Sequence, residues 1–228
     1  MIDNTQKNWN EYWAESTDQK GLFALIARFY RRQIISRAVR HYFHKYFIDE
    51  KDKFYLHAGC GSAESDSRIG FKYSNMILLD LSKEALKLVK KRSGYQNAYL
   101  ICADLFHLPL KPESMDGLWN LGVMEHFYPP EIHAINLEFG RVLKPGGIFM
   151  LLWPPVYGLT VMGLGAILIF TNKILRCNYQ FFPDEVSYFV SKKWAKKNFN
   201  HTGLSIEKVH FSFRDLYTYA FLTGKKRS

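Results

Sequence analysis

Small and acidic residues stand at regular places after the apolar segments of this sequence. Gly59 and Gly61 directly follow one apolar segment, and Asp80 ends the next one. Glycines let a backbone approach a ligand closely, and a carboxylate 19 positions beyond Gly61 can accept hydrogen bonds from ribose hydroxyls. Asp104 and Asn120 follow two further apolar segments. The spacing therefore indicates a site for a ligand that contains a nucleoside.

Alternating strands and helices are predicted to position these residues. The predicted strands are Phe54–His57, Met76–Leu79, Ala98–Cys102, Gly117–Trp119 and Ile148–Trp153. Helices are predicted to begin after Ser82 and at Pro129. Continuous apolar strands separated by helices are typical of a parallel sheet covered on both faces, and such sheets bind ligands at the carboxyl ends of their strands.

The alternation of strands and helices ends near the C-terminus. Ile206–Phe213 and Tyr217–Thr223 are predicted to be two strands joined by a tight turn at Arg214–Asp215. Such a pair is antiparallel, so we expect the sheet to be mixed at that edge.

The composition is that of a globular protein. The chain has 228 residues, of which 47% are hydrophobic and 23% charged, so it can bury a core and is not a disordered chain. Cys60, Cys102 and Cys177 form neither a metal-binding spacing nor a disulfide framework. A signal peptide begins with a basic segment followed by an apolar one, and the first residues do not show this pattern. We therefore expect a cytoplasmic protein with reduced thiols.

The net charge of +10 predicts an anionic partner: nucleic acid, an acidic bilayer or a phosphorylated small molecule. The N-terminal helix and residues 191–197 offer two positive patches, either for lipid head groups or a phosphorylated acceptor or as ordinary solvated faces. Nucleic acid is the least favoured partner, because the basic residues alternate with bulky apolar ones. No feature of the sequence specifies an oligomeric state.

Two regions lie outside the repeated pattern. Residues 1–50 are predicted to form a helical extension, whose Trp9, Tyr12 and Trp13 either cover the site as a lid or pack the first helix onto the domain. Residues 51–228 form the main domain, with an apolar insertion at about 155–200.

The apolar part of the insertion allows several interpretations. Gly146 to Asn172 contains no charged residue, but once the fifth strand is removed only Val156–Phe170 remains, which is short for a membrane span. The segment either lines a pocket, dips into a bilayer surface or is buried against the sheet.

Four segments taken together resemble the class I S-adenosylmethionine-dependent methyltransferases, in particular their small-molecule branch. The segments are residues 56–66, 78–92, 102–127 and 138–154. The resemblance implies an α/β, Rossmann-like fold with a seven-stranded, mostly parallel sheet, helices on both faces and an antiparallel last strand. It implies S-adenosylmethionine as the cofactor.

The resemblance also implies the roles of the residues that would bind the cofactor. Gly59 and Gly61 would let the main chain pass the methionyl part, Asp80 would hold the ribose, and Leu81 would lie against the adenine.

Further residues would contact the two ends of the cofactor. Asp104 and Leu105 would bind the adenine, and Asn120 and Leu121 would lie near the methionyl amine. His57 stands where the family often has an acid and would contribute a contact to the methionyl ammonium.

A nicotinamide-dependent enzyme is the rival interpretation of the glycine turn. Ala63 stands at the third small position, so the turn lacks the glycine spacing that holds a pyrophosphate, and nothing resembles a hydride-acceptor domain.

His126 is the candidate catalytic residue. It could act as a general base towards a hydroxyl acceptor, oriented by Glu125. The pair could instead hold the loop together, since methyl transfer from a sulfonium depends mainly on positioning and a dry pocket.

The sequence thus predicts methyl transfer from S-adenosylmethionine to a small organic or lipid-like acceptor, with possible contact to a membrane surface. Two alternatives remain at this stage. One is methylation of RNA or protein, and the other is a cofactor-binding partner subunit without turnover.

Overall fold

Seven strands form the sheet at the centre of the part of the chain that the computed structural model describes, namely residues 8–15, 22–91, 98–163 and 185–228. The strands are β1 (Phe54–Ala58), β2 (Asn75–Asp80), β3 (Ala98–Cys102), β4 (Met115–Leu121), β5 (Leu143–Trp153), β6 (Leu204–His210) and β7 (Ala220–Lys226). Their spatial order is β3-β2-β1-β4-β5-β7-β6. β1 to β5 are parallel, and β7 is antiparallel to both β5 and β6. The predicted Rossmann-like sheet with an antiparallel last strand is confirmed.

Helices precede the sheet and connect its strands. They are α1 (8–15), α2 (Leu22–Tyr30), α3 (Ser36–Tyr46), α4 (Lys83–Lys91), α5 (Pro129–Val142) and α6 (Lys192–Asn198). A π-helical segment, Arg31–Ile35, joins α2 to α3. The predicted cap of α4 is confirmed, because the Ser82 hydroxyl accepts a hydrogen bond from the Ala85 N–H at 3.2 Å.

Helices cover both faces of the sheet. Successive side chains of a strand point to opposite faces, so Tyr55 and Leu56 belong to different layers of the core. α3 packs through Val39 and Phe43 onto the face that carries Tyr55. α6 packs through Ala195 onto the face that carries Leu56.

The predicted C-terminal hairpin is wrong in its bounds. In place of Ile206–Phe213 and Tyr217–Thr223, β6 begins and ends earlier and β7 begins later. A longer connection replaces the tight turn at Arg214–Asp215, because Leu216 (φ 53°) and Tyr217 (φ 55°) are left-handed and interrupt the extended backbone.

Several central strands are longer than predicted. The burial of one cysteine also differs from what its strand suggests. β5 begins at Leu143 rather than at Ile148, because Leu143 already pairs with Met115 of β4. An apolar strand suggests a buried cysteine at its end, but Cys102 is exposed. It ends β3, which is the edge strand of the sheet. Cys60 is buried, as expected for a packing residue in the glycine turn.

The beginning of the apolar insertion lies at the surface. After β5, Val156, Tyr157, Leu159 and Met162 are all exposed. The predicted segment continues to Phe170, but residues 164–170 lie outside the described residues. Within the described ranges, no helix is both long enough and apolar enough to cross a membrane.

Candidate functional site

The turn after β1 presents bare backbone at the carboxyl edge of the sheet. Gly59 has a φ of +70° and donates its N–H to the Leu79 carbonyl at 2.8 Å. A Cβ on Gly59 would lie 2.8 Å from Cγ2 of Val123, so a side chain at this position would be both strained and crowded. Gly61, with a φ of +52°, is left-handed as well. These conformations explain why glycine stands at both positions.

Asp80 is held against this turn by two backbone donors. Its Oδ2 accepts the Gly61 N–H at 2.7 Å, and its Oδ1 accepts the Ser82 N–H at 2.8 Å. Burial raises the pKa of the Asp80 carboxyl, while the two N–H donors oppose that rise. Each carboxylate oxygen has a second lone pair with which it could accept a hydrogen bond from a ligand hydroxyl.

Asp104 and Leu105 lie beside Asp80 along the same edge. The Ala103 N–H donates to the Asp80 carbonyl at 3.1 Å, which places the segment after β3 next to the end of β2. Asp104 Oδ1 accepts the Phe106 N–H at 3.0 Å, and Leu105 is buried. The backbone contact at Phe106 fixes the orientation of the Asp104 carboxylate. Leu81, half-buried, follows Asp80 directly.

Asn120 is a buried polar residue with unsatisfied hydrogen-bonding groups. It lies in β4, is fully buried, and neither its Oδ1 nor its Nδ2 has a hydrogen-bond partner. Buried polar groups are normally paired, so two orphan atoms in one side chain indicate a position where a polar ligand could bind. Leu121, which ends β4, is half-buried beside it.

His57 has a protein partner that the sequence did not reveal. Its Nδ1–H donates to Asp66 Oδ2 at 2.8 Å, and its ring stacks on Trp119 with centroids 3.6 Å apart. Ser65 donates to the other oxygen of the Asp66 carboxylate at 3.1 Å. Where the family often has an acid in β1, this chain places an acid beside His57 from the loop that follows the glycine turn.

Helix α1 lies over the site and contacts three parts of it. The Trp13 indole packs on Gly61, since a Cβ there would lie 2.5 Å from its Cζ2. The Asn10 Oδ1 accepts the Ser82 hydroxyl at 2.8 Å. Trp9 meets the His126 ring edge-to-face, with centroids 5.1 Å apart. Each of the two tryptophans that raised the lid hypothesis therefore contacts the glycine turn or the segment after β4.

A second group of polar residues lies beyond His126. The Glu125 carbonyl accepts the N–H groups of Val186 and Ser187 at 2.7 and 3.0 Å, which joins the segment after β4 to the end of the insertion. Tyr188 donates to Glu185 Oε2 at 2.5 Å. Glu185 and Tyr188 could not be recognised from the sequence, because they lie far from the glycine turn and belong to no motif.

Two groups in this cluster are strongly desolvated. Burial raises the pKa of Glu125 well above its usual range, and Glu185 raises it further. Burial also raises the pKa of the Tyr219 hydroxyl, with Glu125 and Glu185 adding to the effect. Glu125 Oε2 has no hydrogen-bond partner. Burial therefore shifts the Glu125 carboxyl towards its neutral form, and the neutral form can donate a hydrogen bond.

The raised pKa of Glu125 gives a stability prediction with a definite sign. An acid that binds its proton more tightly in the folded state makes the protein less stable as pH rises from the unfolded pKa of about 4.3 towards the folded value. Glu125→Gln keeps the shape and cannot titrate. We expect the urea midpoint of the variant minus that of the wild type to increase as pH rises above about 4.3. Exposed Glu207→Gln should follow the wild-type profile, and parallel profiles for all three proteins would contradict the assignment.

All the predicted cofactor residues meet at one edge of the sheet. Gly59, Gly61, Asp80 and Asp104 lie in or directly after successive strands, in a sheet whose order reverses between β1 and β4. In open α/β sheets this is where ligands bind. The sheet order is the one that the resemblance to class I S-adenosylmethionine-dependent methyltransferases implied, with the polar groups at the ligand-binding edge.

The family comparison gives the same class. Residues 56–151 match the family model described as a methyltransferase domain. Over these 96 of its 228 residues, the chain is therefore similar to methyltransferase domains.

Named relatives are similar over 104 residues each. The malonyl-[acyl-carrier protein] O-methyltransferase of Methylovorus sp. is 31% identical over 42% of this chain and 34% of its own length. The fatty-acid O-methyltransferase of Mycolicibacterium smegmatis is 27% identical over 45% of this chain and 37% of its own length. The chain thus spans only about a third of the length of these relatives.

The solved structure of magnesium protoporphyrin IX methyltransferase from Synechocystis PCC 6803 shares the fold. It has a TM-score of 0.70 and 17% sequence identity, with 99% of both chains covered. At this level of identity the likeness concerns the fold alone.

Proposed function

We propose that this protein transfers a methyl group from S-adenosylmethionine to a small organic or lipid-like acceptor. The observation that carries the proposal is the Asp80 carboxylate, held by two backbone N–H groups beside a bare glycine turn. The relatives that act on malonyl-[acyl-carrier protein] and fatty acids, by their names, support an acyl acceptor methylated at oxygen.

The residues present fit this cofactor. Gly59 and Gly61 give the turn the left-handed backbone that holds it beside Asp80, and Asn120 supplies two buried polar atoms without partners. Asp80 would accept hydrogen bonds from the ribose hydroxyls, and Asp104 would bind the adenine. When bound, the cofactor supplies an electrophilic methyl carbon, to which an acceptor lone pair bonds while the C–S electron pair returns to sulfur and leaves S-adenosylhomocysteine.

The chain itself would position the acceptor and exclude water. Helix α1 covers the glycine turn through Trp13, which reduces access of water to the site. The buried Glu125 carboxyl and the Tyr219 hydroxyl supply hydrogen-bonding groups on the side beyond His126. A carboxylate acceptor already carries a lone pair and needs no base.

Two measurements test the proposal. Calorimetric titration with S-adenosylhomocysteine should show stoichiometric binding, and transfer of radiolabelled methyl should be detected with fatty acids or malonyl thioesters. Binding of the cofactor product without transfer to any acyl acceptor would contradict the acceptor class. Failure to bind the product at all would contradict the cofactor, and with it the whole proposal.

Replacing His126 by alanine tests whether a base is required. If the acceptor is a carboxylate, His126 mainly supports the loop and Trp9, and we expect kcat to fall by less than about 10-fold, below the 100- to 10,000-fold typical of a lost general base. Phe127→Ala, which alters the neighbouring position, is the control for loop packing. A loss above about 100-fold with unchanged S-adenosylhomocysteine affinity would assign His126 as the base.

We also propose a cytoplasmic, membrane-peripheral location. An acceptor with a hydrophobic surface would partition into a bilayer, and the net charge of +10 favours an anionic one.

A further inference from the structure

The outer sides of α2 and α3 carry two neighbouring open cavities lined by basic residues. The first, of about 480 Å³, is lined by Arg37, Arg40, His41, His44 and Arg68. Four of these residues lie on α3 at helical spacing, so they share its outer side. Arg68 follows the glycine turn in sequence and lines both cavities. We call the residues that line the two cavities the α2–α3 face.

Of the basic residues that line the two cavities, Arg32 is the one with an ion-pair partner in the described part of the chain, because its Nε lies 3.9 Å from Glu64 Oε1. Among the described residues, no aspartate or glutamate lines either cavity, and neither Arg37 nor Arg40 forms an ion pair. Burial lowers the pKa of His41, and the nearby Arg214 and Lys45 lower it further. Several cations therefore face solvent together, which is the arrangement that attracts phosphates.

Exposed apolar side chains accompany these cations. Leu25, Ile26 and Phe29 of α2 are 62%, 55% and 63% exposed. Leu25 and Phe29 line the second cavity, of about 410 Å³, together with Arg28 and Arg32. Large apolar groups that protrude beside arginines are typical of helices that lie in the plane of a membrane interface.

The α2–α3 face is joined directly to the loop that follows the glycine turn. Arg31 Nε lies 3.2 Å from Glu64 Oε2, and Arg68 Nη2 donates to Gln33 Oε1 at 2.6 Å. A surface bound through this face would therefore lie beside the segment that leads out of the cofactor site.

We propose that the α2–α3 face docks on an anionic phospholipid bilayer, with the arginines at the lipid phosphates and the apolar side chains of α2 in the head-group region. This inference rests on the proposed function in one respect, because a membrane-docked enzyme would meet a lipid-like acceptor there. The bilayer is favoured over an acidic protein because exposed arginines and large exposed apolar side chains lie side by side, and charge and apolar contacts both suit a lipid surface.

Co-sedimentation with vesicles tests the docking surface. The full chain should bind phosphatidylcholine vesicles that contain phosphatidylglycerol, bind less at high salt, and bind little to phosphatidylcholine alone. Since each basic residue near an anionic surface contributes about 1 kcal/mol, or about fivefold, Arg37→Gln with Arg40→Gln should weaken partitioning by about 30-fold. Leu25→Ser with Phe29→Ser should weaken it as well, and with less dependence on salt.

Matched controls lie on the opposite face of the sheet. Lys196→Gln with Lys197→Gln removes the same charge from exposed positions of α6, and Leu137→Ser removes an exposed apolar side chain from α5. Both should bind vesicles within about 3-fold of the wild type, because a distant exposed charge is screened.

Three results would overturn the proposal. In the first, the wild-type protein stays in solution when anionic vesicles are sedimented. In the second, the α6 variant loses as much binding as the Arg37 and Arg40 variant. In the third, this face binds an acidic carrier protein but no vesicles. Titration of every variant with S-adenosylhomocysteine separates these outcomes from failure of the proposed function, because cofactor affinity should be unchanged in all of them.

Discussion

Replacing Asp80 by asparagine should weaken the binding of S-adenosylhomocysteine by about 100-fold, equivalent to about 2.7 kcal/mol. Both carboxylate oxygens already accept backbone N–H groups, from Gly61 and Ser82. An asparagine would turn an NH₂ group towards one of these donors and would also lose charge-assisted acceptance from ribose hydroxyls. Calorimetric titration measures the change directly.

The comparison variant is Glu207→Gln, which removes a carboxylate from an exposed position of β6. Its affinity for S-adenosylhomocysteine should equal that of the wild type. If Asp80→Asn binds as tightly as the wild type while remaining folded, the proposed ribose contact is wrong. Because the fold of the variant can be checked by its urea midpoint, loss of folding and loss of the contact are separable.

The second large effect is expected for Asp66→Ala, which should lower the free energy of unfolding by about 3 kcal/mol. His57 and Asp66 are only 1% and 2% exposed, and each is the other's hydrogen-bond partner. Removing the carboxylate leaves a buried imidazole N–H without an acceptor, with water unable to replace it. Urea unfolding followed by tryptophan fluorescence, to which Trp119 beside His57 contributes, reports the change.

Asp66→Asn distinguishes the effect of the acceptor oxygen of Asp66 from the effect of its charge. The asparagine carbonyl can still accept the His57 N–H, so most of the lost stability should return. Exposed Asp52→Ala, before β1, should be close to the wild type. Equal destabilisation by Asp66→Ala and Asp66→Asn would show that the charge of Asp66, and not its acceptor oxygen, stabilises the fold.

Local sequence was sufficient to predict the sheet and the main elements of the candidate site. A buried parallel strand needs a continuous apolar run, and a left-handed turn beside it needs glycine, so β1, Gly59 and Gly61 can be recognised from neighbouring residues alone. Asp80 can be recognised too, because it ends the next parallel strand and the carboxyl ends of parallel strands lie at the same edge of the sheet. The approximate positions of β1 to β5 were predicted correctly for this reason.

Contacts between distant segments were decided by the tertiary structure. The pairing of His57 with Asp66, the packing of Trp13 on Gly61 and the approach of Glu185 to Glu125 depend on how loops fold over the sheet, and no period in the sequence encodes them. The bounds of β6 and β7 were mispredicted because the left-handed backbone after Asp215 is stabilised by a contact within the connection, where the Asp215 carboxylate accepts the Tyr219 N–H at 2.6 Å. Short-range patterns specify which residues can form a strand or a turn, whereas burial and pairing across the fold decide where each one ends and which side chains meet.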